Sequence, residues 1–229
     1  MADSATVVLV HGAWHGAWCW EKVMPLLDAA GIASTAVELP LTSWKDDAAA
    51  TTAAIEQVDG PVVLCGHSYG GSVITGAGDL PNVQRLVYLA AFALEEGESL
   101  ANAAVDSHAP STGVENVLVF SDDGTTVDLD HSAAGAFFYH DCEPDDMAAA
   151  VARLRPMQFA CLGTAVATPA WKSKPSTYVV CTEDRAVHPA LQRAMATRCT
   201  SSVDFPTAHS PFLNHPDLVT DLLIALARG

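Results

Sequence analysis

The serine at residue 68 lies in a sequence pattern that is typical of a catalytic nucleophile. Ser68 is the centre of G-H-S-Y-G at residues 66–70, which follows the apolar run at residues 62–65 and precedes a predicted helix. A sharp strand-to-helix turn exposes the serine hydroxyl above a sheet, and the two glycines supply the space for that turn. The N–H groups that begin the following helix favour negative charge at the same place. The pattern therefore predicts a nucleophile, provided that the chain also supplies its partners.

Such a nucleophile needs an imidazole that takes its proton and a carboxylate that orients the imidazole. In a parallel sheet these partners are expected in loops at the carboxyl ends of later strands. His209 lies in the loop between the last predicted strand and the last helix, and Glu183 and Asp184 directly follow the predicted strand at residues 177–181. We predict His209 as the base. We favour Asp184 as the acid because it lies further past the strand end, with Glu183 as the alternative.

The remaining histidines favour structural interpretations. His67 lies beside Ser68, but neighbouring side chains in an extended segment point in different directions, so we expect His67 to be structural. His131, His140 and Asp141 are close in sequence, yet they lack the ligand spacing of known zinc sites. We expect them on a polar surface, and we predict no metal site and no cofactor.

The oxyanion of a tetrahedral intermediate needs hydrogen-bond donors. The residue after the nucleophile normally supplies one main-chain N–H, and the loop after the first strand supplies another. These positions are Tyr69 and Ala13, and Gly12 allows the loop to approach closely. The sequence therefore predicts an oxyanion hole formed by the N–H groups of Ala13 and Tyr69.

A pocket that binds a small ligand is expected to be mostly apolar. Trp14 lies beside the oxyanion loop and Phe212 lies three residues after His209, so both are strong candidates for substrate contact. The candidate pocket residues are Gly12, Trp14, Phe92, Phe138, Phe159 and Phe212.

The elements that must position these residues alternate between strand and helix. Nearly continuous apolar strands between amphipathic helices predict an α/β fold, with about six mostly parallel strands covered by helices on both faces. A single helix is expected over residues 17–30. The alternation stops over residues 93–165, which are rich in Glu, Asp and Ser and contain one clear helix. We therefore predict a core of residues 1–92 and 166–229, with a helical cap inserted at residues 93–165.

Composition excludes several classes of partner. The chain has 229 residues and a net charge of −16 with only 11 Lys and Arg, which argues against nucleic acid and anionic membranes as partners for its surface. The start of the chain has neither a basic segment nor a long apolar one, which predicts a cytoplasmic protein. Its six cysteines show no C-x-x-C spacing and are expected to be free thiols. We expect a small-molecule partner and a monomer or homodimer.

Four segments together resemble one superfamily. They are residues 8–18 (VLVHGAWHGAW), residues 66–71 (GHSYGG), residues 178–184 (YVVCTED) and the loop around His209. In this order they resemble the α/β-hydrolase superfamily, and within it the group of small bacterial esterases, plant methylesterase-type esterases and hydroxynitrile lyases. The resemblance implies that Asp184 is the triad acid. It also implies a cap after the strand that follows the elbow helix.

The resemblance also bears on the reaction. The similar lyases carry a threonine at the position of Gly12 and a lysine at the position of Ser210, and both groups serve cyanohydrin cleavage. Epoxide hydrolases and dehalogenases of this fold need a carboxylate nucleophile, which Ser68 excludes. We therefore expect a serine carboxylesterase that acts on small to medium apolar esters through an acyl-enzyme. The alternatives are a hydroxynitrile lyase and a non-catalytic ligand-binding receptor.

One segment departs from the pattern of the resembled group. Residues 38–41 read Glu-Leu-Pro-Leu, whereas Asp-Leu-Pro-Gly is the commoner form. The sequence alone gives no physical reason for this departure.

Overall fold

The apolar runs of the sequence form the strands of an α/β structure. A computed structural model describes residues 4–103 and 109–229. The strands are β1 (Thr6–Val10), β2 (Ser34–Val37), β3 (Val62–His67), β4 (Val83–Leu89), β5 (Leu118–Phe120), β6 (Thr126–Leu129), β7 (Met157–Gln158), β8 (Ser176–Cys181) and β9 (Ser201–Phe205). The helices are α1 (Met24–Ala29), α2 (Trp44–Glu56), α3 (Tyr69–Ala77), α4 (Leu100–Ala103), α5 (His131–Phe138), α6 (Pro144–Val151), α7 (Ala160–Gly163), α8 (Pro189–Ala196), α9 (Pro211–Asn214) and α10 (Pro216–Arg228).

The central sheet has six strands in the order β2-β1-β3-β4-β8-β9, and its pairings are parallel. Successive side chains of a strand point to opposite faces of the sheet. Val7 and Leu9 therefore join a core with residues of α1 and α10, whereas Val8 and Val10 join a second core with residues of α2 and α3. The predicted six-stranded parallel sheet with helices on both faces is confirmed.

The single helix predicted over residues 17–30 is wrong. The structure instead has a short 3-10 helix at Ala17–Trp20, followed by α1 from Met24 to Ala29. Pro25 lies in the first turn of α1, and because proline has no N–H it cannot continue a hydrogen-bond ladder from the preceding turn. The break leaves the 3-10 helix free to follow the loop after β1.

The segment at residues 93–165 combines helices with a small antiparallel sheet in the order β5-β6-β7. The expected helix near residue 150 is α6, but the strands were not predicted because they are only three, four and two residues long. The segment is therefore not helical throughout. Its two ends meet where Gly97 N donates to Val166 O over 2.8 Å and Val166 N donates to Glu98 O over 2.9 Å.

Residues 1–3 and 104–108 belong to the ranges predicted for the core and the cap, and they lie outside the described residues. In the part of the chain that is described, no helix combines the length and the apolar character needed to cross a bilayer. The six cysteines are all free thiols.

Candidate active site

Ser68 occupies a tight turn between β3 and α3. Its backbone has φ 51° and ψ −120°, a conformation that residues other than glycine rarely adopt. The turn is held by its carbonyl oxygen, which accepts from Gly71 N over 2.9 Å and from Phe92 N over 3.1 Å. Strained turns of this kind expose the hydroxyl of a nucleophile, and Ser68 lines a cavity.

Two glycines make this turn sterically accessible. A Cβ atom on Gly66 would lie 2.5 Å from the carbonyl oxygen of Gly70, and one on Gly70 would lie 2.6 Å from that of Val10. Both distances are far below van der Waals contact. A larger residue at position 66 would therefore push β3 away from the start of α3, and one at position 70 would push α3 away from β1.

His209 and Asp184 form a buried pair. The Nδ1 atom of His209 lies 2.7 Å from Oδ2 of Asp184, and the two side chains are 1% and 0% exposed. The pair comes together because β8 and β9 are parallel neighbours, so the loops that follow them meet at one sheet edge. Glu183 is exposed, and of these two adjacent carboxylates it is Asp184 that contacts His209. The carboxylate fixes the ring tautomer with the proton on Nδ1.

The Asp184 carboxylate is also held by its own loop and the next helix. Its Oδ1 accepts from Ala186 N over 2.7 Å and from Val187 N over 2.9 Å, while Oδ2 accepts from Gln192 Nε2 over 2.7 Å. These hydrogen bonds hold the carboxylate in one orientation, in which Oδ2 faces His209. Gln192 was not predicted from the sequence. In the structure its amide is fully buried and lies beside Leu191 on the apolar face of α8.

The other ring nitrogen of His209 is free to act. Nε2 is buried and has no hydrogen-bond partner among the described residues. Ser68 and His209 line the same cavity. Within residues 4–103 and 109–229, no group of three His, Cys, Asp or Glu side chains is arranged to hold a metal ion.

Both residues predicted for the oxyanion hole line this cavity as well. Tyr69 is the first residue of α3, where a main-chain N–H has no partner within the helix. Ala13 lies in the loop after β1, and its carbonyl oxygen accepts from Nδ1 of His15 over 2.8 Å. The next residue, Trp14, has φ 63° and also lines the cavity. The structure thus brings both loops to the nucleophile.

The cavity has a volume of about 340 Å³ and an apolar lining. Four of the predicted pocket residues, Trp14, Phe92, Phe138 and Phe159, lie in this lining. Trp14 Nε1 already donates to Val127 O over 3.1 Å. Leu162, a further apolar candidate from the sequence, also lies in the lining. The lining includes residues that the sequence did not single out, because isolated apolar residues give no sign of which cavity they face: Leu100, Ala101, Val114, Ala186 and Val187.

Two predicted pocket residues do not line the cavity. Phe212 is fully buried, and its ring packs 4.8 Å from that of His67 and 5.1 Å from that of Trp20. Phe212 therefore packs against His67 in the core and not against the cavity. Gly12 is also absent from the described lining, and a Cβ atom there would lie 2.9 Å from Nδ1 of His67 and 3.0 Å from Cβ of Ser68. Gly12 permits a close contact and does not form a pocket wall.

The chain is similar to known proteins in sequence and in fold. The model of a family described as "Alpha/beta hydrolase family" matches residues 7–222. The chain is 30% identical over 240 residues to alpha/beta hydrolase nvfD of Aspergillus novofumigatus, covering 95% of this chain and 94% of that protein. It is 29% identical over 256 residues to Methylesterase 2 of Arabidopsis thaliana, covering 96% and 95%. A pyrethroid hydrolase from Sphingobium faniae has a similar solved structure, with a TM-score of 0.84, 20% identity and 98% of both chains covered.

Proposed function

This chain belongs to the alpha/beta hydrolase family, and we propose that it is a serine carboxylesterase that acts through an acyl-enzyme on Ser68. The family and fold predicted from the sequence are confirmed by the match over residues 7–222. Relatives named as a methylesterase and a pyrethroid hydrolase support ester hydrolysis. The observation that carries the proposal is the free Nε2 of His209, which shares a cavity with Ser68 while its Nδ1 is held by Asp184.

In the proposed first half-reaction, the Ser68 oxygen attacks the ester carbonyl carbon while Nε2 of His209 takes the hydroxyl proton. The carbonyl electrons move to the oxygen, which accepts from the N–H groups of Ala13 and Tyr69. The tetrahedral intermediate then collapses, the bond to the leaving oxygen breaks, and His209 returns its proton to the alcohol. Asp184 stabilises the imidazolium without taking the proton itself. Water then attacks the acyl-enzyme by the same route and releases the acid.

The proposed substrates are small to medium apolar esters without charged groups. The cavity volume of about 340 Å³ limits their size. Two polar side chains of the lining already have partners, because Trp14 Nε1 donates to Val127 O and the Tyr69 hydroxyl donates to Asp47. Ser68 and His209 then remain as the polar side chains of the described lining. A charged substituent would lose its hydration there without gaining a partner.

We also propose that residues 93–165 act as a cap that selects the substrate. Leu100, Val114, Phe138, Phe159 and Leu162 all belong to this segment and form one side of the cavity. Free thiols support the further proposal that the chain works in a reducing compartment such as the cytoplasm.

The lyase alternative has less support at the positions that distinguish it. A side chain at Gly12 would meet His67 and Ser68 at 3.0 Å or less, so the structure has no room there for the threonine of the lyases. Ser210 is fully buried and its hydroxyl has no partner among the described residues, so it cannot hold a departing cyanide as a lysine does. Acyl transfer remains the chemistry that these residues favour.

Hydrolysis of p-nitrophenyl acetate and butyrate tests the proposal. Wild type should turn over both esters, and S68A should lose at least about 10³-fold in kcat. S210A is the matched control, because it removes a serine hydroxyl that has no partner beside the same histidine. Mass spectrometry after rapid quenching should detect an acylated wild-type chain and no acylated S68A. Equal turnover by wild type and S68A would refute the esterase, and cyanide release from mandelonitrile would favour the lyase.

A further inference from the structure

A carboxylate that the proposed reaction does not use lies behind the oxyanion site. Asp47 on α2 is fully buried, and both of its carboxylate oxygens have partners. Oδ1 accepts from Leu41 N over 2.7 Å, and Oδ2 accepts from the Tyr69 hydroxyl over 2.5 Å. Burying a carboxylate is costly unless its hydrogen bonds compensate, so this arrangement needs a reason beyond packing.

The first partner of Asp47 is the residue that follows the nucleophile. Tyr69 lines the cavity, and its main-chain N–H is the proposed oxyanion donor. Burial and the neighbouring Asp47 carboxylate raise the pKa of the Tyr69 hydroxyl, so the phenol keeps its proton and donates it to Asp47. The carboxylate thus fixes the side chain of the residue whose N–H must point at the oxyanion.

The second partner connects Asp47 to the cap. Leu41 has φ 57°, an unfavourable left-handed conformation for a leucine. Its N–H is held by Asp47, and its carbonyl oxygen accepts from Gln158 N over 2.9 Å. Gln158 ends β7, and the next residue, Phe159, lines the cavity. One carboxylate therefore links the residue after the nucleophile to a wall of the substrate cavity.

We propose that Asp47 is a positioning residue for the oxyanion site: it holds Tyr69 through the phenol hydroxyl and holds the cap wall through Leu41. This inference rests on the proposed function, since it assigns a role in acyl transfer. Asp47 does not touch the substrate, because it is absent from the described lining of the cavity. Its effect is exerted through Tyr69, whose N–H acts mainly on the charged transition state.

The test compares D47N and Y69F with wild type in ester hydrolysis. D47N keeps an acceptor for Leu41 N but places an amide donor against the phenol, and Y69F removes the same hydrogen bond from the other side. We expect kcat to fall by about 10- to 100-fold in both variants, with KM for p-nitrophenyl butyrate changed less than about threefold. The double variant should lose no more than the worse single variant, because the two changes remove one interaction.

The matched control is D46N, which removes a charge from the neighbouring, exposed position of α2. Asp46 accepts from the hydroxyls of Thr42 and Ser43, and the asparagine oxygen can still accept both. D46N should therefore keep wild-type kcat. Y69F also covers the case in which D47N does not fold.

A trifluoromethyl ketone supplies a readout that a purely structural role would not move. The Ser68 oxygen adds to the ketone carbon, His209 takes the proton, and the former carbonyl oxygen becomes an oxyanion in the hole. Its inhibition constant should rise in D47N and Y69F by the same factor as kcat/KM falls.

The possible outcomes separate this inference from the function on which it rests. If S68A hydrolyses esters as fast as wild type, the proposed function fails. If S68A is inactive while folded Y69F and D47N keep wild-type kcat and inhibitor affinity, the role of Asp47 is refuted. Lower melting temperatures with unchanged kcat per titrated active site would also refute it, because Asp47 would then stabilise the fold alone.

Discussion

His67 donates a hydrogen bond from Nε2 to the main-chain oxygen of His209 over 2.9 Å, and the two rings lie 4.6 Å apart. Burial lowers the pKa of His67 well below its usual value, so the ring stays neutral with its proton on Nε2. The residue before the nucleophile thus supports the loop of the proposed base. The structural role expected for His67 is therefore to hold the main chain at His209.

Because Gly12 packs against both His67 and Ser68, we expect G12A to lower kcat. The added Cβ atom would lie 2.9 Å from Nδ1 of His67 and 3.0 Å from Cβ of Ser68, so the ring or the turn must move. Displacing a nucleophile or its base by a fraction of an ångström costs about 10- to 100-fold in kcat. The measurement is hydrolysis of p-nitrophenyl butyrate. G163A is the control, since among the described residues nothing beyond the adjoining backbone lies within 4 Å of a Cβ atom at Gly163. Equal losses in both variants would contradict the prediction.

The nucleophile turn and its partners could be predicted because each lies in a short sequence pattern that is recognisable locally. Ser68 lies between two required glycines, and His209 and Asp184 each follow a recognisable strand. Gln192 and Asp47 were missed because each acts through a side-chain contact with another element, Gln192 with the loop after β8 and Asp47 with the start of α3, and no local pattern marks such a contact. Each is a polar residue on the buried face of an amphipathic helix, which is a weak signal without the structure.

The sequence offers two adjacent carboxylates, and the structure predicts that only one of them matters for turnover. D184N should lower kcat by about 10³- to 10⁴-fold, because an amide no longer stabilises the imidazolium and admits the wrong tautomer. E183Q changes an exposed side chain next to it and should keep kcat within about twofold of wild type. Steady-state ester hydrolysis with active-site titration measures both. A large loss in E183Q with an active D184N would reverse the assignment of the acid.

Buried neutral histidines should make the fold sensitive to acid. Burial lowers the pKa of His11 to about 3 and that of His15 to about 4, against the usual 6.5. In both rings Nε2 accepts a hydrogen bond, from Leu39 N and from the Tyr139 hydroxyl respectively, which protonation would break. The unfolded chain therefore binds more protons below pH 6.5, and stability that is full above this pH is lost as the pH falls towards 4.

Urea unfolding between pH 7 and pH 4.5 measures this loss. Each such histidine should lower the free energy of unfolding by up to about 1.4 kcal/mol per pH unit below pH 6.5. H15Q removes one titrating ring and should give a shallower pH dependence than wild type. H131Q, which replaces an exposed histidine, controls for the substitution itself. A wild-type stability that is flat over this range would contradict the prediction.

The departure at residues 38–41 needed the structure for its explanation. Glu38 reaches two partners at once, since Oε2 accepts from Ala17 N over 2.7 Å and Oε1 accepts from Arg155 Nη2 over 2.6 Å. Leu41 takes the position where the commoner pattern has glycine, and it keeps the left-handed φ of 57°. Its side chain is only 2% exposed and joins the core beneath α2 and α3. A sequence pattern cannot reveal that the buried side chain of Leu41 compensates for a backbone conformation that glycine would adopt without strain.

We therefore expect L41G to destabilise the protein less than L39G. Both leucines are buried, and removing such a side chain costs about 3–5 kcal/mol in unfolding free energy. At residue 41 glycine also relieves the left-handed conformation, which returns about 1–2 kcal/mol, whereas Leu39 has no positive φ to relieve. Urea unfolding at pH 7 compares the two, with a residual difference of about 1–2 kcal/mol in favour of L41G. If L41G is the less stable variant, the left-handed backbone at Leu41 carries no strain that its side chain must offset.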